Sequence, residues 1–313
     1  MMTAGRTVTI GTRGSALALT QTALVRAALL ARQPDLTVEV LRITTRGDAI
    51  LDRPIAAAAT TDKGLFVEEI EAALREGRID LAVHSAKDLP STLPPDMVIA
   101  AYPPRVDPRD VLVSHAGALR ALPVGARVGT SSPRRACLLH AQRPDLTIVD
   151  IRGNVDSRLR KLDAGQYDAI VLAAAGLERL GLAGRVTEWF APDQFLPAVG
   201  QGALAVEARA DDAPLRTLLA RIDDPATAAT VGAERAFLAT IAGGCSAVVA
   251  AHATLTDAGG GLVLDGLVGA LDGTMIRDQR CGPVAEGTRL GIELASDLLV
   301  RGGAWLLAGV AHA

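Results

Sequence analysis

Short apolar runs of strand character alternate with helical patterns through the first two-thirds of this 313-residue chain, and that alternation most narrows the possible folds. Val8–Ile10 reads as a strand, and Ser15 can cap a helix running to about Arg32. Val38–Ile43 reads as a second strand. Leu65–Arg75 is an amphipathic helix with Phe66, Ile70 and Leu74 on one face, and Leu81–Val83 is a short buried strand. This is the βαβ rhythm of a mostly parallel sheet.

Tyr102-Pro-Pro-Arg-Val-Asp-Pro108 breaks the rhythm as a linker would. It restarts with strands at Val111–Val113, Arg127–Gly129, Thr147–Asp150 and Ala169–Leu172, and helices from Pro133 and over Val155–Ala164. Near Phe195–Gly202 the chain leaves this second α/β domain. A long helix, about Ala226–Ile241, then leads to strands at Ser246–Thr254, Leu262–Val268 and Thr274–Arg280. Asp257–Gly261 and Asp272-Gly273 supply the hairpin turns, and Gly287–Arg301 is a closing helix. The last third is therefore a small α+β domain.

Composition excludes several classes. Aromatic residues make up 3% of the chain, too few for the stacking platforms of a single-strand nucleic-acid binder. The net charge of -3 provides no general basic field, so no nucleic-acid partner is expected. No apolar run reaches membrane-spanning length, and the first residues do not read as a signal peptide. Cys137, Cys245 and Cys281 are odd in number and far apart, which fits a reducing cytoplasm and argues against a disulfide framework or a metal site. Lysine occurs only at positions 63, 87 and 161. Coding bias alone would produce this, yet many arginines fall just after apolar strands, and arginine is suited to bidentate carboxylate binding.

The loops following the strands carry the chemistry, since ligands of open α/β sheets bind beyond the carboxyl ends of strands. Thr130-Ser-Ser-Pro-Arg-Arg135 offers Ser131 or Ser132 as a helix cap and Pro133 as the first helical residue. Arg134 and Arg135 then oppose the helix dipole; they are either solvated cations or partners of a bound anion. Arg152 and Arg158 follow the next strand. Gly11-Thr-Arg-Gly-Ser15 lacks the Gly-Lys-Ser/Thr of a phosphate-binding loop, but Arg13 and Ser15 can donate to carboxylates. Arg46-Gly-Asp48 reads equally well as just a turn or as a part of the site. In His84-Ser-Ala-Lys-Asp88, adjacent His84 and Ser85 point opposite ways on an extended loop, which disfavours a hydrolase, and His84 reads as structural. Asp88 beside Lys87 is the better pair: a carboxylate able to steady a cation forming on a substrate. Gly243-Gly-Cys245 taken by itself favours a helix C-cap followed by a small apolar residue, although a thiol on such a turn can also be exposed and carry a group covalently.

Taken together the segments resemble the porphobilinogen deaminase (hydroxymethylbilane synthase) family. The matching stretches are Ile10–Ser15, Thr45–Asp48, Lys63–Phe66, Asp80–Pro90, Val128–Arg135, Ile151–Asn154, Leu196–Gly202 and Gly243–Cys245, in family order across nearly the whole chain. The resemblance implies an α/β fold of three domains. Two are periplasmic-binding-protein-like lobes with a cleft, residues 1–103 with 203–220 and residues 108–196. The third, 225–313, is the α+β domain with the cofactor cysteine. It implies a transferase that joins four porphobilinogen molecules head to tail into hydroxymethylbilane, releasing ammonia, on a dipyrromethane cofactor held by Cys245 through a thioether. The expected partner is porphobilinogen, and the expected state is a monomer in the cytoplasm. Asp88 matches the catalytic aspartate. Ser85, Lys87, Thr130, Ser132, Arg134, Arg135, Arg152 and Arg158 match cofactor contacts with Asp88. Arg13 and Ser15 match substrate contacts, and Arg179 and Gln201 are further cleft residues.

The residues fit that chemistry: each pyrrole ring brings an acetate and a propionate, so an arginine-rich site in a chain of net charge -3 has a use. Two departures stand out. Ser246-Ala-Val-Val249 lacks the family's proline, and Ala59-Thr-Thr-Asp62 replaces a glycine pair before Lys63. The competing class is a non-catalytic two-lobed anion-binding protein, in which Cys245 has no use.

Overall fold

Ser15 is extended and its hydroxyl accepts from the Ala18 amide, so the helix after the first strand starts where the sequence places it. In the computed structural model, residues 7–45, 67–241, 247–256 and 260–309 are described. The expectations on 46–48, 59–66 and Cys245 lie outside these residues.

The chain divides into two compact units, residues 1–106 with 203–228 and residues 107–202 with 229–313. The first unit holds β1 (Thr7–Thr12), α1 (Ala16–Arg32), β2 (Thr37–Arg42), α2 (Glu68–Arg75), β3 (Leu81–Ser85) and β4 (Met97–Ala101). The second unit begins with β5 (Asp110–Ser114), β6 (Arg127–Gly129), α3 (Pro133–Gln142), β7 (Thr147–Val149), α4 (Val155–Asp163), β8 (Ala169–Ala173), α5 (Ala174–Arg179) and β9 (Glu188–Trp189). β10 (Leu204–Arg209) and α6 (Ala213–Leu219) return to the first unit, and α7 (Pro225–Ile241) follows. The chain ends with β11 (Val248–Leu255), β12 (Gly261–Gly269), β13 (Met275–Pro283), α8 (Gly287–Leu298) and α9 (Ala304–Gly309).

The first sheet has the order β2-β1-β3-β10-β4 and the second β7-β6-β8-β5-β9. Both are mixed rather than mostly parallel. β1 runs parallel to β2 and β3, but β10 is antiparallel to β3 and β4. Likewise β6 is parallel to β7 and β8, while β5 is antiparallel to β8 and β9. The reversal has a topological cause: β10 enters its sheet on the return from residues 107–202 rather than through a βα crossover.

Val8, Ile10, Leu81, Val83, Val206 and Ala208 face one side of the first sheet and pack with Val25 and Leu29 of α1. Ala82 belongs to the opposite side, packed with Ile70, Ala73 and Leu74 of α2. In the second unit the five-stranded and three-stranded sheets share a core, in which Val128, Cys137, Leu139, Val248, Ala250 and Leu267 meet. α3 comes so close to the β12–β13 hairpin that a Cβ on Gly269 would lie 2.9 Å from the Cys137 sulfur. The fold is thus two α/β lobes with a small C-terminal α+β part. Among the described residues no helix is long and apolar enough to cross a membrane.

Candidate functional site

In the first unit, β1 and β3 are parallel neighbours, so the loops after them leave the same edge of the sheet. Arg13 and Ser15 lie after β1. After β3 the chain makes a single 3-10 turn over Ala86–Asp88, which leaves Asp88 exposed and Lys87 half-buried. The turn is fixed from three directions. Gln21 on α1 donates to the Ser85 hydroxyl at 2.8 Å. The Ala86 amide donates to the Ala203 carbonyl at 3.0 Å. Beneath it, His84 and Glu207 are buried and their Nε2 and Oε2 atoms are 2.9 Å apart. The sequence reading of His84 as structural agrees with that placement; Glu207 was missed. Its signal was a lone acid inside the apolar run Leu204-Ala-Val-Glu-Ala208.

In the second unit, β6 and β7 are parallel neighbours and their loops also share an edge. Ser132 caps α3, accepting from the Arg135 amide, and Pro133 begins the helix. Ser131 joins the two loops: its hydroxyl donates to the Ile151 carbonyl and accepts from the Ile151 amide. Thr130 is buried; its hydroxyl accepts from the Ser132 amide at 3.2 Å. Gly153, at a φ of 108°, lets the second loop turn, and its carbonyl accepts from Arg158 Nε at 2.8 Å. Arg152 is exposed and paired with Asp150 at 3.0 Å. Burial pushes the Asp150 carboxyl up, but it is held below the usual range, with the Arg152 hydrogen bond and the positive charges of Arg152 and Arg158 acting against burial.

Arg134 and Arg135 are neither solvated nor bare. Both are buried, and both reach the fully buried Asp110 at the start of β5. The conflict between two cations and the helix dipole is thus relieved in part from within the chain. Burial pushes the Arg134 guanidinium below its usual value; Asp110 opposes the shift and Arg135 adds to it. The sequence does not single out Asp110, because its partners Arg134 and Arg135 lie more than twenty residues further along the chain.

Gln201 is buried and its side-chain amide donates to the Pro108 carbonyl at 2.7 Å. Arg179, at the end of α5, donates from Nη2 to the Gly202 carbonyl at 2.7 Å, while its Nε is buried without a hydrogen-bond partner. Burial depresses the Arg179 guanidinium to about 10, which still leaves it a cation at neutral pH. Nearby Gly200, at a φ of 69°, turns the chain so that its amide donates to buried Glu234 at 2.7 Å. The other Glu234 oxygen accepts from the Ala253 amide on β11 at 2.9 Å.

The donor set fits a cofactor rich in carboxylates. An orphaned guanidinium N–H on Arg179 and a buried arginine pair that outnumbers its acid both ask for an external anion. Among the described residues no group of three or more His, Cys, Asp or Glu could hold a metal ion.

Comparison with known proteins agrees. Residues 8–217 match the family model described as "Porphobilinogen deaminase, dipyromethane cofactor binding domain", and residues 228–300 match "Porphobilinogen deaminase, C-terminal domain". The porphobilinogen deaminase of Roseiflexus castenholzii (strain DSM 13941 / HLO8) is 62% identical, covering 96% of this chain and 99% of that one. That of Syntrophobacter fumaroxidans (strain DSM 10017 / MPOB) is 49% identical over 95% of this chain and 96% of its own. Among solved structures, a nutrient binding protein from Burkholderia cenocepacia bound to methionine is 16% identical, covers 68% of this chain and 90% of its own, and has a TM-score of 0.43. Two family models in succession over most of the sequence, and relatives matched almost end to end, show that the chain belongs to the porphobilinogen deaminase family.

Proposed function

We propose that Asp88 is the catalytic residue and Cys245 the cofactor attachment point in this chain. The chain is a transferase of the hydroxymethylbilane synthase type, joining four porphobilinogen molecules head to tail and releasing ammonia in tetrapyrrole and haem biosynthesis. The dipyrromethane cofactor, when bound, supplies the pyrrole from which the product chain is extended.

The observation that carries the assignment of Asp88 is the turn of Ala86–Asp88, which exposes one carboxylate on a base held by Gln21, Ala203 and the buried His84–Glu207 pair. When the aminomethyl carbon of porphobilinogen loses ammonia, its C–N bond electrons leave with nitrogen and the remaining fragment is a cation. A fixed carboxylate lowers the energy of that cation, and needs little reorganisation as the charge develops. Lys87, Ser85, Thr130, Ser132, Arg134, Arg135, Arg152 and Arg158 would hold the cofactor's carboxylates. Arg13, Ser15, Arg179 and Gln201 would bind substrate. What supports these roles is the clustering of guanidinium and hydroxyl donors on loops at one edge of each sheet. Gln201 and Ser15 already spend part of their polar capacity within the chain, on Pro108 and on the α1 cap.

The proposal extends to the layout: three domains, residues 1–103 with 203–220, residues 108–196 and residues 225–313, in a monomer that works in the cytoplasm. Intact-mass measurement tests the centre of the proposal. The purified protein is expected to carry a dipyrromethane adduct that is absent from Cys245→Ser. An unmodified sequence mass, or an adduct that survives the substitution, overturns the assignment of Cys245.

A further inference from the structure

Two guanidiniums buried side by side repel each other, and the second unit contains such a pair. Arg134 and Arg135 retain 4% and 6% of their exposure, and Asp110 retains none. Arg135 places Nε at 2.9 Å and Nη2 at 2.7 Å on Oδ1 of Asp110. Arg134 places Nη1 at 2.8 Å from Oδ2, as an ion-pair contact rather than an aligned hydrogen bond. Each arginine is also fastened to main chain: Arg134 Nη1 donates to the Leu196 carbonyl at 2.7 Å, and Arg135 Nη1 to the Val171 carbonyl at 2.9 Å. The Arg134 guanidinium lies 5.9 Å from the centre of the Phe195 ring.

We propose that Asp110 is a positioning residue for the bound carboxylate chemistry: it fixes the forks of Arg134 and Arg135 and leaves the pair one net positive charge. The inference rests on the reading that these arginines hold cofactor carboxylates. Its basis is geometric. Asp110 begins β5, and the Phe190 amide bonds its carbonyl while β8 pairs alongside, so its carboxylate is held by the sheet. The arginines sit in the first turn of α3, and this carboxylate ties that turn to β5 through charge. Two cations against one anion balance on the arrival of one further carboxylate. Without Asp110 the two guanidiniums would separate, and a planar fork aimed wrongly loses its bidentate fit.

Asp110→Asn tests this. The variant keeps an acceptor for Arg135 but turns an amide donor or a neutral oxygen toward Arg134. With the full chain held well below its melting midpoint, the fraction carrying the adduct is expected to fall by intact mass. KM for porphobilinogen in the loaded fraction is expected to rise about tenfold, because a cofactor whose carboxylates lose a charge-assisted hydrogen bond shifts the pyrrole against which substrate must bind. Arg134→Gln is expected to do the same, and the double variant to be no worse than either single one, because Asp110 acts through the arginines. Should Asp110→Asn not fold, Asp110→Glu, which keeps the charge and moves it by one methylene, is read in the same way. Full occupancy and unchanged KM in the Asp110 variant, with Arg134→Gln impaired, overturn the positioning role alone. Full occupancy and unchanged KM in Arg134→Gln sink the reading beneath it. Effects that multiply in the double variant show Asp110 acting by another route, which also refutes the proposal.

Discussion

His84 and Glu207 face each other diagonally across β3 and β10, Nε2 to Oε2 at 2.9 Å, two residues before the turn that presents Asp88. The second oxygen of Glu207 is buried without a hydrogen-bond partner, so the imidazole carries much of the carboxylate's satisfaction. His84→Leu is expected to cost about 3 kcal/mol of unfolding free energy, the upper range for a stranded buried acceptor. Glu207→Gln, which keeps an acceptor, is expected to cost about 1 kcal/mol. Urea denaturation measures both, and equal small losses would show that the pair is not what secures the strand end.

Asp88→Asn keeps the turn and the side-chain volume while removing the charge. The adduct is expected to remain in full by intact mass, with kcat reduced about a hundredfold or more, the scale seen when an electrostatic stabiliser of a transition state is removed. Near-normal turnover would refute the role given to the carboxylate.

Cys137 is buried, and burial pushes its thiol up to about 11. Cys281 is exposed. Alkylation of the native protein at neutral pH should therefore label Cys281 and spare Cys137 until the protein is unfolded in denaturant. Peptide mass mapping reads this directly, and rapid native labelling of Cys137 would contradict the shared core around it.

Glu71 is largely buried on α2, and burial, followed by the charge of Glu207, raises its carboxyl above the ordinary 4.5, while Arg75 opposes the shift. Nearby Asp96 adds slightly to the rise. The folded state therefore binds this proton more tightly than the unfolded chain does. The stability this provides is complete below pH 4.5 and is lost as pH rises through the folded value. Glu71→Gln is expected to be more stable than the parent at pH 7, with the difference vanishing in acid. A variant less stable at pH 7 would mean that the contact with Arg75 outweighs the burial cost.

Local signals were well written in the sequence. Ser15, and Ser131 or Ser132 ahead of Pro133, marked the starts of α1 and α3, and the helices begin there with Ser132 as the cap of α3. The apolar runs placed the central strands because burial on both faces leaves few other options. Partnerships across long stretches of chain were not legible. Leu204–Arg209 gave no sign that it would run antiparallel to β3, since its neighbours come from more than a hundred residues earlier. Asp110 could not be matched to Arg134 and Arg135 for the same reason, so the sequence left these arginines as either solvated cations or partners of a bound anion and did not show the internal acid they share. The role proposed for the thiol at position 245 comes from the family resemblance carried by the upstream loops and not from its own turn, and its placement lies outside the described residues.

The close approach of α3 to the β12–β13 hairpin bears on how this chain can be inherited and cut. A Cβ at Gly273 would come within 2.8 Å of the Ala141 backbone, and Val248, Ala250 and Leu267 lose their apolar neighbours if residues 107–202 are taken away. The C-terminal segment is therefore not a portable cassette. Recombination that exchanged it alone between relatives would break a jointly packed interior, so the two parts are expected to travel through evolution as a linked pair.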